Sequence, residues 1–510
     1  MLIESLRQSG ILDPNENSKV ISTPTGFTAI DLLGATIERN EDFMPILNQG
    51  VCNKFYMNTG ESGTGKSTLQ IQSKCYGVDY WNSLYPETEP SDLIIIDSED
   101  FTTSNRVIQL SGWDSDYLNR HLSLRKDTDI KDIYNLILKI ADAKAKNKKN
   151  YYVETDIIDI TGEKVKTWIP TFILIDSLAA IKAGIGLENV NRDKAGEIKQ
   201  MDISQNIDAM RDAKDNTGFI MKVKPLCNAY GINLSIINHI TKDNTMSMFD
   251  VPKRYLITLK PGERLRGGYE LIYQAYGIDR ISLKEKLTAN RNPVYGENVE
   301  GGIMEYVYLK SKNKGEGIPY RMVMDKNSGY RPELSDFEHL YANNYGFKGS
   351  GIGISLDILP EIKFSRSTLL EKCHKNPELA RALQFTAKMH IINTLLLGKS
   401  EGPSLNFMED LSYDERIAYI FSFTNRYPGY GHYPISEEVK IALEHGRTLI
   451  PNEISSMNSS YMDEMMMYMI SSQSELNPSF IPPVSNKSFQ FPTDDPNDFT
   501  LLDNEFWIKK

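Results

Sequence analysis

An α/β fold built on a central, mostly parallel twisted sheet is predicted for residues 21–333, and three observations predict it. Apolar, strand-like runs alternate with charged, helix-favouring stretches. Four runs are almost continuously apolar, as expected where both faces of a sheet are buried: 52–58 ("CNKFYMN"), 93–97 ("LIIID"), 171–176 ("TFILID") and 232–238 ("INLSIIN"). A glycine-rich loop, "GESGTGKST" at 60–68, follows the first run and opens a stretch that reads as helix.

The other elements follow in chain order. Residues 1–20 are a short polar segment with a small helix predicted over 2–8. The stretch "YYVETDIIDITGEKVKTW" (151–168) reads as an inserted hairpin turning at Thr161–Glu163. Runs at 277–283, 303–309 and 319–325 alternate more and belong toward the sheet edge. Residues 334–355 are Gly-rich and read as a junction. A second, smaller, mainly helical domain is predicted over 356–470, ending in the methionine run "YMDEMMMYMI", a helix packed on some other surface. Residues 471–510 read as a flexible low-complexity acidic tail, with Glu475, Asp494, Asp495, Asp498, Asp503 and Glu505 set against Lys487.

The chain has 510 residues, 40% apolar and 25% charged, the composition of an ordinary globular protein. A net charge of −11 argues against a general basic coat but leaves room for a local basic groove. The four cysteines are scattered, without a C-x-x-C pair or a histidine at zinc spacing, so cytosolic thiols are expected. No apolar run approaches a membrane span, and "MLIESLRQSGIL" is too polar and acidic for a signal peptide. A soluble protein of the cytoplasm is expected, with no membrane partner.

Gly60, Gly65, Lys66 and Ser67 fit G-x-x-x-x-G-K-[ST] without mismatch. Such a loop wraps backbone N–H groups around phosphates, and the helix after it adds its dipole. Gly60, Glu61, Ser62, Gly63, Thr64, Gly65, Lys66, Ser67 and Thr68 are therefore the candidate nucleotide cradle. Lys66 supplies charge for the β/γ-phosphates and Ser67 an oxygen for Mg²⁺. Hydrolysis also needs a metal-holding carboxylate and one that activates water. Two strand ends supply acids: Asp176 in "TFILIDSLAA", and Asp97, Glu99 and Asp100 in "LIIIDSEDF". Asp176 is assigned to the metal and Glu99 to the water.

The phosphate loop is followed in order by "IIIDSED", "ILIDSLAAI", "SIINHI", "LRGGYELIYQA" and "LKSKNKGEGIPYRMVMD". This order, over roughly residues 20–330, resembles the RecA family of DNA strand-exchange recombinases, and most closely its bacteriophage UvsX branch. The resemblance implies a RecA-like ATPase core, with ATP and Mg²⁺ bound between neighbouring subunits of a helical filament on single-stranded DNA. Duplex DNA enters during exchange. It implies Glu99 as the catalytic glutamate and His239 as the γ-phosphate sensor linked to a DNA-binding loop. Lys312 and Lys314 correspond to a lysine pair that reaches the neighbouring subunit's ATP. Arg106 stands where a tyrosine usually stacks on adenine, a role a guanidinium can also fill.

DNA contact is expected from two loops, one within 184–204 and one after His239. The second offers Met246, Met248 and Phe249 as wedges between bases, and Lys253, Arg254, Lys260, Arg264 and Arg266 as phosphate contacts, ending at Gly267 and Gly268. It is longer than in typical relatives. The N-terminal segment is short for a polymerisation element, with Ile11 and Leu12 its candidates. The acidic tail suits competition with DNA, or recruitment of a mediator or single-strand-binding protein. Two other functions fit the same core: a hexameric replicative helicase, and a nucleotide-switched mediator without catalysis. Intact Lys66, Asp176 and Glu99 argue against the mediator, and the lysine pair against the helicase, which would use an arginine finger.

Overall fold

The computed structural model describes residues 21–391 apart from 40–44, 49, 101, 127–128, 159–161, 178–200, 243–255, 267–268, 289–293, 297–298, 313–314 and 357–358, together with 499–501 and 507–509. Nine strands form the main sheet: β1 (Phe55–Gly60), β2 (Asp92–Asp97), β3 (Leu122–Arg125), β4 (Thr171–Asp176), β5 (Ile232–Ile237), β6 (Gly277–Leu287), β7 (Gly301–Ser311), β8 (Tyr320–Asp325) and β9 (Gly329–Arg331). Their spatial order is β9-β8-β7-β6-β1-β5-β4-β2-β3. The six strands from β6 to β3 in that order are parallel, and β7, β8 and β9 extend the sheet antiparallel beyond β6. Six parallel and three antiparallel strands make this the mostly parallel sheet expected.

The continuous apolar runs have a direct cause. In β4, Phe172 and Leu174 join one core while Ile173 and Ile175 join the core on the opposite face. The first core holds Ile71 and Val78 of α1 (Lys66–Leu84) with Val107 and Leu110 of α2 (Ser104–Ser111). The second holds Ile133 and Ile137 of α3 (Ile130–Lys146) with Phe219, Ile220 and Val223 of α4 (Met201–Tyr230). With helices on both faces no strand position is left for a solvent-facing polar residue, so the alternation disappears.

The insertion at 151–168 is an antiparallel hairpin, Tyr152–Ile158 against Lys164–Trp168, and it joins Thr36–Arg39 and Pro45–Asn48 in a separate four-stranded sheet. Sequence patterning misses β3, a four-residue edge strand whose Leu122 and Leu124 alternate with Ser123 and Arg125. The glycines at 349–353 form only a turn. The rest of the expected junction is helix α5 (Pro332–Asn343), then strands Phe347–Lys348 and Ile354–Leu356, and the stretch expected to open a helical domain begins with a further strand, Leu359–Phe364.

A third core runs across that region. Phe337 and Leu340 of α5, Leu356, Phe364, and Leu379 and Leu383 of α6 (Pro377–Ile391) cluster with Phe27, Ile30, Tyr306 and Tyr330. Up to residue 391 the expected second domain therefore shares a core with the antiparallel end of the sheet. Residues 392–470 lie outside the described residues. In the tail, Phe499–Leu501 and Trp507–Lys509 pair antiparallel where no regular structure is expected; both are rich in strand-favouring residues. Among the described residues no helix is long and apolar enough to cross a membrane, and the four cysteines are free and buried.

Helices α5 and α6 meet at a histidine pair, His339 Nε2 and His390 Nδ1 lying 2.9 Å apart. Burial lowers His339 from 6.5 to about 3, with the charge of His390 adding, and burial lowers His390 to about 4. The folded form thus refuses protons that the unfolded chain accepts below about 6.5, so the pair stabilises fully above that pH and less as pH falls toward 4. Urea unfolding from pH 7 to 4.5 should lose stability more steeply in the wild type than in His390→Gln.

Candidate active site

Four parallel strands end side by side at Gly60, Asp97, Asp176 and Ile237, the edge of an open α/β sheet where ligands gather. A cleft of about 330 Å³ opens there, lined by Ser62, Gly63, Gly65, Lys66, Ser67, Thr68, Glu99, Arg106, Asp176, Ile237, His239, Met324, Asp325 and Lys326. The cradle, the two favoured carboxylates, the sensor histidine and the candidate adenine contact thus share one cavity.

The loop is held from below. Gly65 has φ +77°, and a Cβ there would lie 2.2 Å from Met324 Sδ and 3.0 Å from Tyr330 Oη, so no side chain is admitted. Tyr330 Oη donates to Thr64 O at 3.0 Å, and Gln72 of α1 is bonded at both ends of its amide to the Tyr330 backbone. Thr64 Oγ1 donates to Glu61 O at 2.9 Å. Lys66 Nζ bends back to Gly60 O at 3.2 Å and Glu61 O at 2.6 Å, and burial lowers its pKa against the pull of Asp176, Glu99 and Glu61. An ammonium on neutral carbonyls is ready to transfer to phosphate oxygens.

The four acids at the strand ends separate cleanly. Asp97 accepts the backbone N–H of Glu99 at 3.0 Å and that of Thr102, so it shapes the loop. Asp100 faces outward, paired with Lys126 Nζ at 2.5 Å. Asp176 is hydrogen-bonded by the Ser67 hydroxyl; its pKa is raised by burial first and by Glu99 and Asp97 next, while Ser67 and Lys66 oppose the rise. Ser67 and Asp176 thus bring two hard oxygen donors together, which fits Mg²⁺ completed by phosphate and water. No cluster of three or more His, Cys, Asp or Glu able to hold a metal ion alone exists among the described residues.

Glu99 has a partner that sequence reasoning missed. Ser177 Oγ donates to Glu99 Oε1 at 2.7 Å. Ser98 Oγ lies 3.0 Å from Ser177 O and accepts Ser177 N–H at 3.0 Å, tying the ends of β2 and β4 together. Ser177 stands in the quoted "ILIDSLAAI", but nothing in that string says where its hydroxyl points. If the cleft hydrolyses nucleotide, as the phosphate loop and Glu99 predict, Ser177→Ala should lower turnover about tenfold with nucleotide affinity unchanged, and Ser177→Thr should restore it; equal loss of both would reduce Ser177 to a folding role. The wall formed by Met324 and Asp325 at the end of β8 and Lys326 in the turn to β9 was also missed, because a strand end leading into a tight turn carries no chemical signature. Arg106 Nη1 donates to Asn327 O in that turn at 2.7 Å, and burial lowers its pKa.

His239 follows β5. Burial first, then Lys66, lowers its pKa, with Arg266 adding and Glu99 opposing, so it faces the cleft as a neutral imidazole near pH 7. Directly after it, Ile240–Lys242 pairs with Glu263–Leu265, and Asn238 Nδ2 donates to Arg266 O at 2.8 Å. His239 therefore sits at the root of the second loop. Lys260, Arg264 and Arg266 are exposed there, and Glu263 is buried against Arg280 at 2.9 Å. Met246, Met248, Phe249, Lys253, Arg254, Gly267, Gly268 and Lys314 lie outside the described residues, as does 184–200 of the first loop. Lys312 is exposed at the far end of β7, away from the cleft. No protein-family model matches this chain, and no curated protein matches it, so the reading of the cleft rests on its own residues.

Proposed function

We propose that the chain is an ATP-dependent DNA strand-exchange recombinase of the RecA type, nearest the UvsX branch. It would polymerise on single-stranded DNA, pair it with homologous duplex in a cell's cytoplasm, and meet a mediator or single-strand-binding protein through its acidic tail. The observation that carries this reading is the meeting of the phosphate loop, Asp176, Glu99, Arg106 and His239 in one cleft, with the root of a basic loop immediately behind His239.

Bound ATP with Mg²⁺ would supply the reactive γ-phosphoryl group and the charge that polarises it. Lys66 and the loop N–H groups would hold its oxygens, and Ser67 and Asp176 would hold the metal. Glu99, fixed by Ser177, takes the proton of the attacking water. The His239 imidazole would meet the γ-phosphate end and, through the bonds of Asn238 to His239 N–H and Arg266 O, would pass its presence to the loop. Basic residues there hold phosphate backbone with little regard to sequence.

Electron microscopy with single-stranded DNA and a non-hydrolysable ATP analogue tests the reading. Helical filaments are expected; hexameric rings, or a chain that stays monomeric with both ligands, would refute it.

A further inference from the structure

Lys54, Lys224, Lys310 and Lys312 converge at the end of the sheet opposite the phosphate loop, in a chain of net charge −11. Backbone bonds fix the arrangement: Tyr276 N–H donates to Phe55 O at 2.8 Å and Lys312 N–H to Tyr276 O at 3.3 Å. The amines of Lys54 and Lys312 lie 4.8 Å and 6.0 Å from the centre of the Tyr276 ring. Lys310 is structural, donating to Ile272 O, Tyr273 O and Ala275 O and closing the end of the helix Tyr269–Gln274. Lys224 Nζ donates to Gln274 Oε1 at 2.7 Å.

Burial, then the charges of Lys312 and Lys224, depress the Lys54 amine, and Cys52 alone acts the other way. No carboxylate acts on Lys54; the nearest to the cluster, Glu316, accepts Ser311 N–H at 2.6 Å and acts on Lys310. Like charges gathered this way strain the free chain, and an arriving anion relieves the strain. That anion is not the chain's own nucleotide, because six residues of strand, roughly 20 Å, separate Lys54 from Gly60. Two exposed apolar side chains adjoin the cluster: Tyr273, 66% exposed, whose carbonyl Lys310 holds, and Met221, 56% exposed, one turn before Lys224. Exposed apolar groups beside cations suit an anion presented on a protein face rather than a bare polyanion. The opposite end of another copy offers one, an acidic rim of Glu61, Glu99 and Asp176 around a phosphate cradle.

We propose that Lys54, backed by Lys224, joins Lys312 in clasping the triphosphate held by a second copy of this chain. The choice of anion rests on the reading under Proposed function. The test compares wild type, Lys54→Met and Lys312→Met for assembly on single-stranded DNA across concentrations of a non-hydrolysable ATP analogue. Thermal unfolding of the dilute chains without nucleotide is followed in parallel. Lys54→Met should need at least tenfold more analogue for half-maximal assembly, yet melt at a higher temperature, since one repelling charge is gone; a merely structural lysine would melt lower. Normal assembly of Lys54→Met beside impaired Lys312→Met overturns the role of Lys54 and leaves the filament reading standing. Weaker DNA binding by Lys54→Met without nucleotide gives the cluster to nucleic-acid phosphates and overturns the proposal. Failure of the wild type to assemble takes both down.

Discussion

Glu99→Gln should lower the proposed DNA-stimulated ATP turnover about 10³-fold while the proposed nucleotide-dependent assembly on DNA survives. The amide keeps the size of the carboxylate and can still meet the Ser177 hydroxyl, 2.7 Å away in the wild type. What it loses is the ability to accept a proton. Asp97 cannot substitute, because its oxygens are taken by backbone N–H groups of the same loop. Assembled complexes of the variant should therefore persist in ATP as they do in a non-hydrolysable analogue. Phosphate-release assays and filament lifetimes measure the two halves. Turnover within tenfold of wild type would move the base elsewhere in the cleft.

Phe337→Ala should destabilise the protein by about 3–5 kcal/mol in urea unfolding. Phe337 is 0% exposed and meets Phe364 edge to face at 5.6 Å, in the core that also holds Tyr330. Because Tyr330 bonds the phosphate loop at Thr64, the loss should be accompanied by weaker nucleotide binding rather than by melting of a detached C-terminal unit. A variant that unfolds in two separated steps with nucleotide affinity unchanged would mean that residues 332–391 form an independent body.

That second expectation runs against composition, and the reason is instructive. The glycines at 349–353 suggested a junction, but only the turn between two short strands needs them, and α5 ahead of them begins with a proline at its first position and is buried. Composition averaged over twenty residues hid a core helix. The parallel strands were legible because burial on both faces leaves one unmistakable mark, a run such as "TFILID" with no polar break. The phosphate loop was legible because its chemistry fixes residue types at fixed spacing. Ser177, Gln72 and the 324–326 wall were not, since their roles arise from what the fold brings opposite them. Gln72 belongs to α1 and bonds a strand more than 250 positions away, and no local pattern reports that.

The strand order also governs how the molecule can be made. β1 lies between β5 and β6, so the strand that carries the phosphate loop has no neighbour until the ribosome has passed residue 237, and lacks its second until residue 287. At ordinary elongation rates that delay is on the order of ten seconds or more. Through it, aliphatic segments with no water-facing side wait unpaired, a condition that favours aggregation and slow, non-local collapse. Productive biogenesis of this chain should therefore depend on chaperones that shield nascent polypeptide.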